Sequence, residues 1–554
     1  MKRISGIILL ALLLASCGRK KISVDYIVHH AKVYTADGGF AVLESFAVKD
    51  GKFVAVGTNA SIAALYDADS LIDAGGKTIL PGLIDAHCHF RAYGLGLEEC
   101  ELYGTKSFDE VLERVKKYAA SNKKPWIVGR GWDQNDWSNK QFPTKDLLDT
   151  LFPNTPVLLK RIDGHAALCN SKALEIAGIN DSTEIFGGEI LRVAANPDKP
   201  KDKSTRLSGM LIDNAVEFVS RKITPPTSEE ERMALLNAQR DCFSYGITSV
   251  DDAGLMKADI DVMDALQKKG ELKIRIYAML SDSTPNYNYY LKNGPYKTDR
   301  LNVRSFKFYA DGALGSRGAL LLEDYSDKPG KKGLLLNSVP HFKKRMQDVY
   351  NKGFQANTHC IGDSANRLIL KLYASILKDS TRRWRIEHAQ VVHPNDIPLF
   401  GKYGIIPSVQ PVHATSDMYW AEERLGAARV KNAYAYKDLL KGASTLALGT
   451  DFPVEYINPF YTFYSAVARK DRKGFPNGGY QMNNALSRKE TLLGMTQWAA
   501  WSNFEEKEKG SIEAGKFADF IITDKDPMTC PVDEIHSIKV IATYLNGENV
   551  YRLK

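Results

Sequence analysis

The sequence predicts an α/β chain built as a (β/α)8 TIM-type barrel with an inserted subdomain, plus a small composite β-sandwich formed by both termini. Three observations predict it. From Ile79 onward, eight short apolar segments of strand character alternate with helical stretches, the pattern of βα units and a closed parallel sheet. Metal-competent side chains recur where several of these segments end, and that C-terminal rim is where barrel enzymes place their chemistry. Short strands punctuated by glycine occupy both ends of the chain.

At the N-terminus, Lys2 and Arg3 precede an apolar run over residues 4–15 that closes on Leu14, Ala15, Ser16 and Cys17. The run is shorter than the roughly 20 residues of an ordinary membrane span. Small residues directly before a cysteine resemble a bacterial lipobox. Residues 1–16 are therefore expected to be a lipoprotein signal peptide and Cys17 the lipidated first residue of the mature chain, held in the membrane by its several acyl chains. Gly18 follows where an aspartate would retain the protein at the inner membrane, which favours the outer membrane and its periplasmic face. A plain secretory peptide and a buried N-terminal helix are the competing readings. The six other cysteines, at 88, 100, 169, 242, 360 and 530, show no CxxC pair and no regular spacing, so they do not read as a disulfide scaffold. An oxidising envelope would still permit one bridge.

The 554 residues are 44% hydrophobic, enough for a large core, and carry a net charge of +8. Lys and Arg are scattered among Asp and Glu rather than gathered in a stripe, which argues against nucleic acid as a partner.

Residues 22–78 and 509–554 are assigned to the sandwich. "SFAVKDGKFVAVG" holds two strands around an Asp50-Gly51 turn suited to a tight hairpin, and "GSIEAGKFADFIITDKDP" returns to similar short strands. The barrel takes residues 79–508, with strands in "TILPGLIDAHCHF", "GITSVDDAG", "KIRIYAML", "VRSFKFYADGALG", "GFQANTHCIGD", "WRIEHAQ", "GIIPSVQP" and "TLALGTDFPV". Between the first two lies a connection over about 91–245 with strand-like pieces of its own, "PWIVGRGWDQ" and "PVLLKRIDGHAALC". A connection that long should hold a subdomain over the barrel mouth.

Residues two apart on a strand share a direction, so His87 and His89 point the same way and Cys88 the other. His359, His388 and Asp451 end three further strands. Imidazoles with a carboxylate suit zinc and similar divalent metals, leaving positions open for water or substrate. Lys307, between Phe306 and Phe308, should face the interior, where a lone ammonium is costly. It must then pair with Asp311 or Asp451, lose its proton, or react with CO2 to become a carbamate bridging two metals.

"PGLIDAHCHF", "FKFYADGALGSR", "THCIGDSAN", "RIEHAQ", "GTDFPV" and "GSIEAGKFADF" resemble the amidohydrolase superfamily, specifically its family-3 branch related to N-substituted formamide deformylases. The similarity runs from about residue 22 to the end. The resemblance implies a barrel with a composite sandwich and metal-dependent hydrolysis of C–N bonds in non-peptide amides of small molecules. It also implies that His87, His89, Lys307, His359, His388 and Asp451 are the metal ligands. "GRGWDQNDW" and "DGHAALCNSKAL" have counterparts in that branch, placed like a substrate-covering subdomain.

Those ligands would hold one or two ions, a bound metal bringing water toward a pKa of ~7. Asp451 is the candidate general base and later general acid. Trp132, Asp133, His165, Arg317, Gln410 and His413 are candidates for shaping the substrate pocket. Other amidohydrolase chemistry stays open, namely deamination or the hydrolysis of a lactam, ester or phosphoester, because function sits in grafted loops. A non-catalytic envelope lipoprotein binding its ligand in a degenerate barrel is the third reading, and an intact ligand set argues against it. A homo-oligomer stays open as well.

Overall fold

The computed structural model describes residues 21–196, 198 and 203–554, so the signal-peptide reading and Cys17 lie outside the described residues. Eight parallel strands form the barrel: β1 (Leu83–Cys88), β2 (Ile247–Leu255), β3 (Arg275–Ser281), β4 (Leu301–Tyr309), β5 (Gln355–Cys360), β6 (Arg385–His388), β7 (Ile406–Val409) and β8 (Ala447–Leu448). Each pairs with the next in chain order, in registers such as Lys307 with Asn357 and Thr358 with Ile386. β1 and β5 are buried along their whole length, as expected of strands enclosed between helices and a filled interior.

No ladder joins β8 to β1, and individual bonds hold that seam. Asp451 N donates to His87 O at 2.8 Å, while Thr450 donates to Asp85 through its N at 3.0 Å and its Oγ1 at 2.7 Å. Gly449 lets the two chains approach this closely, since a Cβ there would lie 2.5 Å from His87 N and 2.8 Å from Asp85 Oδ1. On β4 the alternation read from the sequence is realised. Phe306 stacks outward on Tyr287 at 5.1 Å, and Lys307, 1% exposed, faces the interior.

The sandwich has a four-stranded sheet of Ile22–His29, Ser45–Lys49, Lys52–Gly57 and Tyr66–Asp73. It faces a six-stranded sheet in which Phe520–Thr523, Val540–Leu545 and Glu548–Arg552 join Thr78–Pro81, Lys32–Tyr34 and Val42–Leu43. One shared core cluster, with Phe46, Phe53, Phe520 and Tyr544, fills the space between the sheets. "TILPGLIDAHCHF" is therefore two strands, because Thr78–Pro81 pairs antiparallel with Phe520–Thr523 and the chain changes sheets at Gly82.

The insertion folds as its own six-stranded sheet, from Cys100–Glu101 to Thr205–Asp213, over its own core. The helix Ser228–Ser244, within the stretch assigned to the insertion, packs instead on the barrel beside Phe90–Gly96 and β2. No helix of the described residues is long and apolar enough to cross a membrane. The six cysteines after Cys17 are all free, five of them buried and Cys530 half-buried.

Candidate metal centre

Five strands deliver the metal-competent groups to one rim. His87 ends β1 with His89 just beyond it, Lys307 lies near the end of β4, His359 near the end of β5, His388 ends β6 and Asp451 follows β8. His87, His89 and Asp451 each offer a ligand atom within 4.8 Å of the others, as do His388, His413 and Asp451. Asp451 Oδ1 stands 3.3 Å from His89 Nε2 and 3.6 Å from His87 Nε2. Ligand atoms on a tetrahedral ion with bonds of about 2.0–2.1 Å stand about 3.3 Å apart, so this spacing fits a metal between them. The same Oδ1 is buried with no hydrogen-bond partner, a costly state that a cation relieves. His388 at φ 70° and Asp451 at φ 63° hold left-handed backbone, the kind of strain that collects at functional sites.

The protonation states suit ligation. Burial, with the Lys307 charge adding to it, pushes His87 down to about 4. His359 and His388 are likewise driven well below the ordinary histidine value, first by burial and then by neighbouring positive groups. Neutral imidazole is the form that binds metal. Burial opposes ionisation of Asp451, yet contacts from His413 and His89 hold its carboxyl well below the usual range.

Lys307 Nζ lies 3.2 Å from His87 Nε2, and burial pushes the amine down to about 8. The expected pairing with Asp311 does not form. That carboxylate instead accepts backbone N–H bonds from Leu320, Ile361 and Gly362 at 2.8–3.0 Å. His359 packs 4.6 Å from the His388 ring but joins neither close triplet.

Behind the ligands stands a layer the sequence reading did not include. His87 Nδ1 meets Glu387 Oε2 at 2.5 Å, and Arg385 bonds both Glu387 and Asp251, all wholly buried. Burial works against the Glu387 charge, but Arg385 and His87 outweigh it and hold the carboxyl well below its usual range. His388 Nδ1 meets Gln410 Oε1 at 2.7 Å and His89 Nδ1 meets Ala253 O at 3.2 Å. Each of these three imidazoles thus has its Nδ1 held by a partner, as metal-binding histidines have one ring nitrogen held.

A cavity of about 150 Å³ opens above the centre, lined by His89, Lys307, His359, His388, His413 and Asp451 below and by Asp133, Arg161, Asp163 and His165 of the insertion above. His165 packs with its ring 4.9 Å from and tilted against that of His359, and its Nδ1 meets Asp213 Oδ1 at 2.7 Å. Gly312 and Gly318 make room for that dyad, since a Cβ at either would overlap the Asp213 carboxylate. His413 contacts Asp451 Oδ2 at 3.4 Å and Glu455 Oε1 at 3.2 Å.

Three residues expected in the pocket lie elsewhere. A bulge between Arg130 and Trp132 turns Trp132 into the insertion's core, where its Nε1 donates to Leu159 O at 2.8 Å. Arg317 points away into an ion pair with Asp327 at 2.7 Å. Gln410 sits behind His388 as its hydrogen-bond partner rather than on the cavity wall.

A model of the amidohydrolase family matches residues 70–551. Protein LONG AFTER FAR-RED 3 of Arabidopsis thaliana is 32% identical over 549 residues, covering 96% of this chain and 92% of that protein. An N-substituted formamide deformylase of Arthrobacter pascens is 25% identical over 558 residues, covering 94% and 97%. Among solved structures, an uncharacterized metal-dependent hydrolase of Pyrococcus horikoshii matches with a TM-score of 0.73 and 26% identity over 92% of this chain and 99% of its own. These matches show that the chain belongs to the amidohydrolase family, a family of hydrolases, and the rim groups described above could hold a divalent metal.

Proposed function

We propose that this protein hydrolyses the C–N bond of a small non-peptide amide. The observation that carries the reading is Asp451 Oδ1, a buried carboxylate oxygen without a hydrogen-bond donor, set between two imidazoles beneath an open cavity. The full-length similarity to an N-substituted formamide deformylase supports the choice of bond. A bound divalent ion supplies Lewis acidity that polarises the amide carbonyl and brings water toward a pKa of ~7. The nitrogen-rich ligand set favours zinc. His87, His89, His359, His388 and Asp451 are the proposed ligands. Lys307, its amine pushed down to about 8, would add to CO2 with loss of a proton, and the resulting carbamate would be a further carboxylate-like ligand for the metal. Asp451 takes the proton of the attacking water and returns it to the leaving nitrogen. His165 and His413 both line the cavity, and each would contact the bound amide. Cys17, with its lipobox, is proposed to anchor the mature chain to the envelope.

The purified protein should cleave N-formyl and N-acyl amines in preference to esters, lactams and aminopurines, lose turnover on chelation, and regain it with zinc. A preference for deaminating the aminopurine would replace this reading with the other chemistry the same frame supports.

A further inference from the structure

At the far end of the sandwich strand Ile22–His29, a second group of potential ligands stands outside the barrel. His29 is the register partner of Asp73 on the neighbouring strand. In extended backbone the next residue would point to the opposite face, but His30 has φ 51°, which ends the strand and folds its ring to the His29 side. The two rings stand 4.4 Å apart, centre to centre. Left-handed backbone is costly for a residue with a side chain, and here the surroundings impose it. His30 N donates to Asn59 Oδ1 at 2.9 Å, Gly76 N to His30 O at 2.7 Å, and Ala74 N to His29 O at 2.9 Å. Gly75 N donates to Asp73 Oδ1 at 2.8 Å, and Oδ2 faces His30.

His30 Nδ1 lies 3.3 Å from Asp73 Oδ2, with both side chains about 60% exposed. That separation is longer than the 2.7–2.9 Å of a charge-assisted hydrogen bond, and it matches the edge of about 3.3 Å between ligands on a tetrahedral ion. One ligand atom from each of His29, His30 and Asp73 falls within 4.8 Å of the others. We propose that these three residues form a second metal site, taking a zinc-like or copper(II)-like ion through two imidazoles and one carboxylate. Nitrogen donors select such borderline ions over magnesium or calcium, and three protein ligands leave coordination positions for water.

The test is a metal count on the whole protein with the barrel centre already filled. Calorimetric titration with zinc should show one further ion per chain. His30→Asn keeps a residue that tolerates left-handed backbone, and Asp73→Asn keeps the acceptor for Gly75 N, so both should fold. Each should weaken the extra ion at least about tenfold, the lower end of what losing even an indirect metal partner costs, with barrel metal and turnover unchanged. Copper(II) bound there should show electron-spin coupling to two imidazole nitrogens in the parent and one in His30→Asn. A parent that binds no ion beyond the barrel complement, or variants that bind it as tightly, would overturn the proposal.

Discussion

Glu387 shows why part of the site was hidden in the sequence. It precedes the proposed ligand His388, and strict alternation assigns it to the helix side of β6. His388, however, has φ 70°, which breaks the alternation, so Glu387 turns inward under His87 while His388 reaches the rim. The proposed ligands could be picked out because metal-competent side chains coincide at several strand ends and the resemblance implies the same set, whereas their supports are identified only by contact. Replacing Glu387 with Gln should lower zinc affinity about 10–100-fold, read by competition with a zinc buffer. Unchanged affinity would remove Glu387 from the role of holding His87. Lys307→Ala should lose metal, and formate or acetate should restore part of the activity. Burial lowers the pH at which the Lys307 ammonium gives up its proton. The uncharged amine is the form that adds CO2, and it becomes the major form as pH rises through about 8 rather than the ordinary 10.5. Reconstitution of the metal-free protein with zinc at a dissolved CO2 concentration held constant across the series should therefore speed up toward pH 8 and level above it. A rate independent of pH across that range would count against the carbamate.

Among the elements, the eight barrel strands stand where apolar runs and flanking turns placed them, since burial on both faces leaves a strong pattern. Sheet membership was less legible. Thr78–Pro81 reads as the start of the first barrel strand because it is just as apolar, and only its pairing with Phe520–Thr523 reveals that it belongs to the sandwich. β8 has two residues and no ladder to β1, so the seam depends on Gly449 and on Asp85. Gly449→Ala should push the His87 backbone aside, costing about 1–3 kcal/mol by the usual penalty of overpacking. Because His87 moves with it, the variant should also bind less zinc, and a variant both stable and fully loaded would show that the seam has slack.

For the whole molecule, length and pattern predicted a subdomain above the barrel, and the structure gives it a part in the cavity through Asp133, Arg161, Asp163 and His165. Asp213 was not legible, because it lies 48 residues beyond His165 and only the folded sheet joins them. Replacing it with Ala should lower turnover while leaving metal content intact, since it touches His165 and none of the proposed ligands. Equal loss of metal would assign it to the framework instead. The N-terminal reading predicts that the mature protein fractionates with membranes and that Cys17→Ala releases it and changes the size of the processed chain; if neither changes, the lipobox assignment fails. The central claim, that Asp451 moves the proton at a metal held by the barrel rim, is met most directly by the turnover of Asp451→Asn on an N-formyl amine at measured metal occupancy. The variant should keep most of its metal and lose about 10²–10⁴-fold in rate; turnover within a few-fold of the parent with metal bound would contradict that role for Asp451.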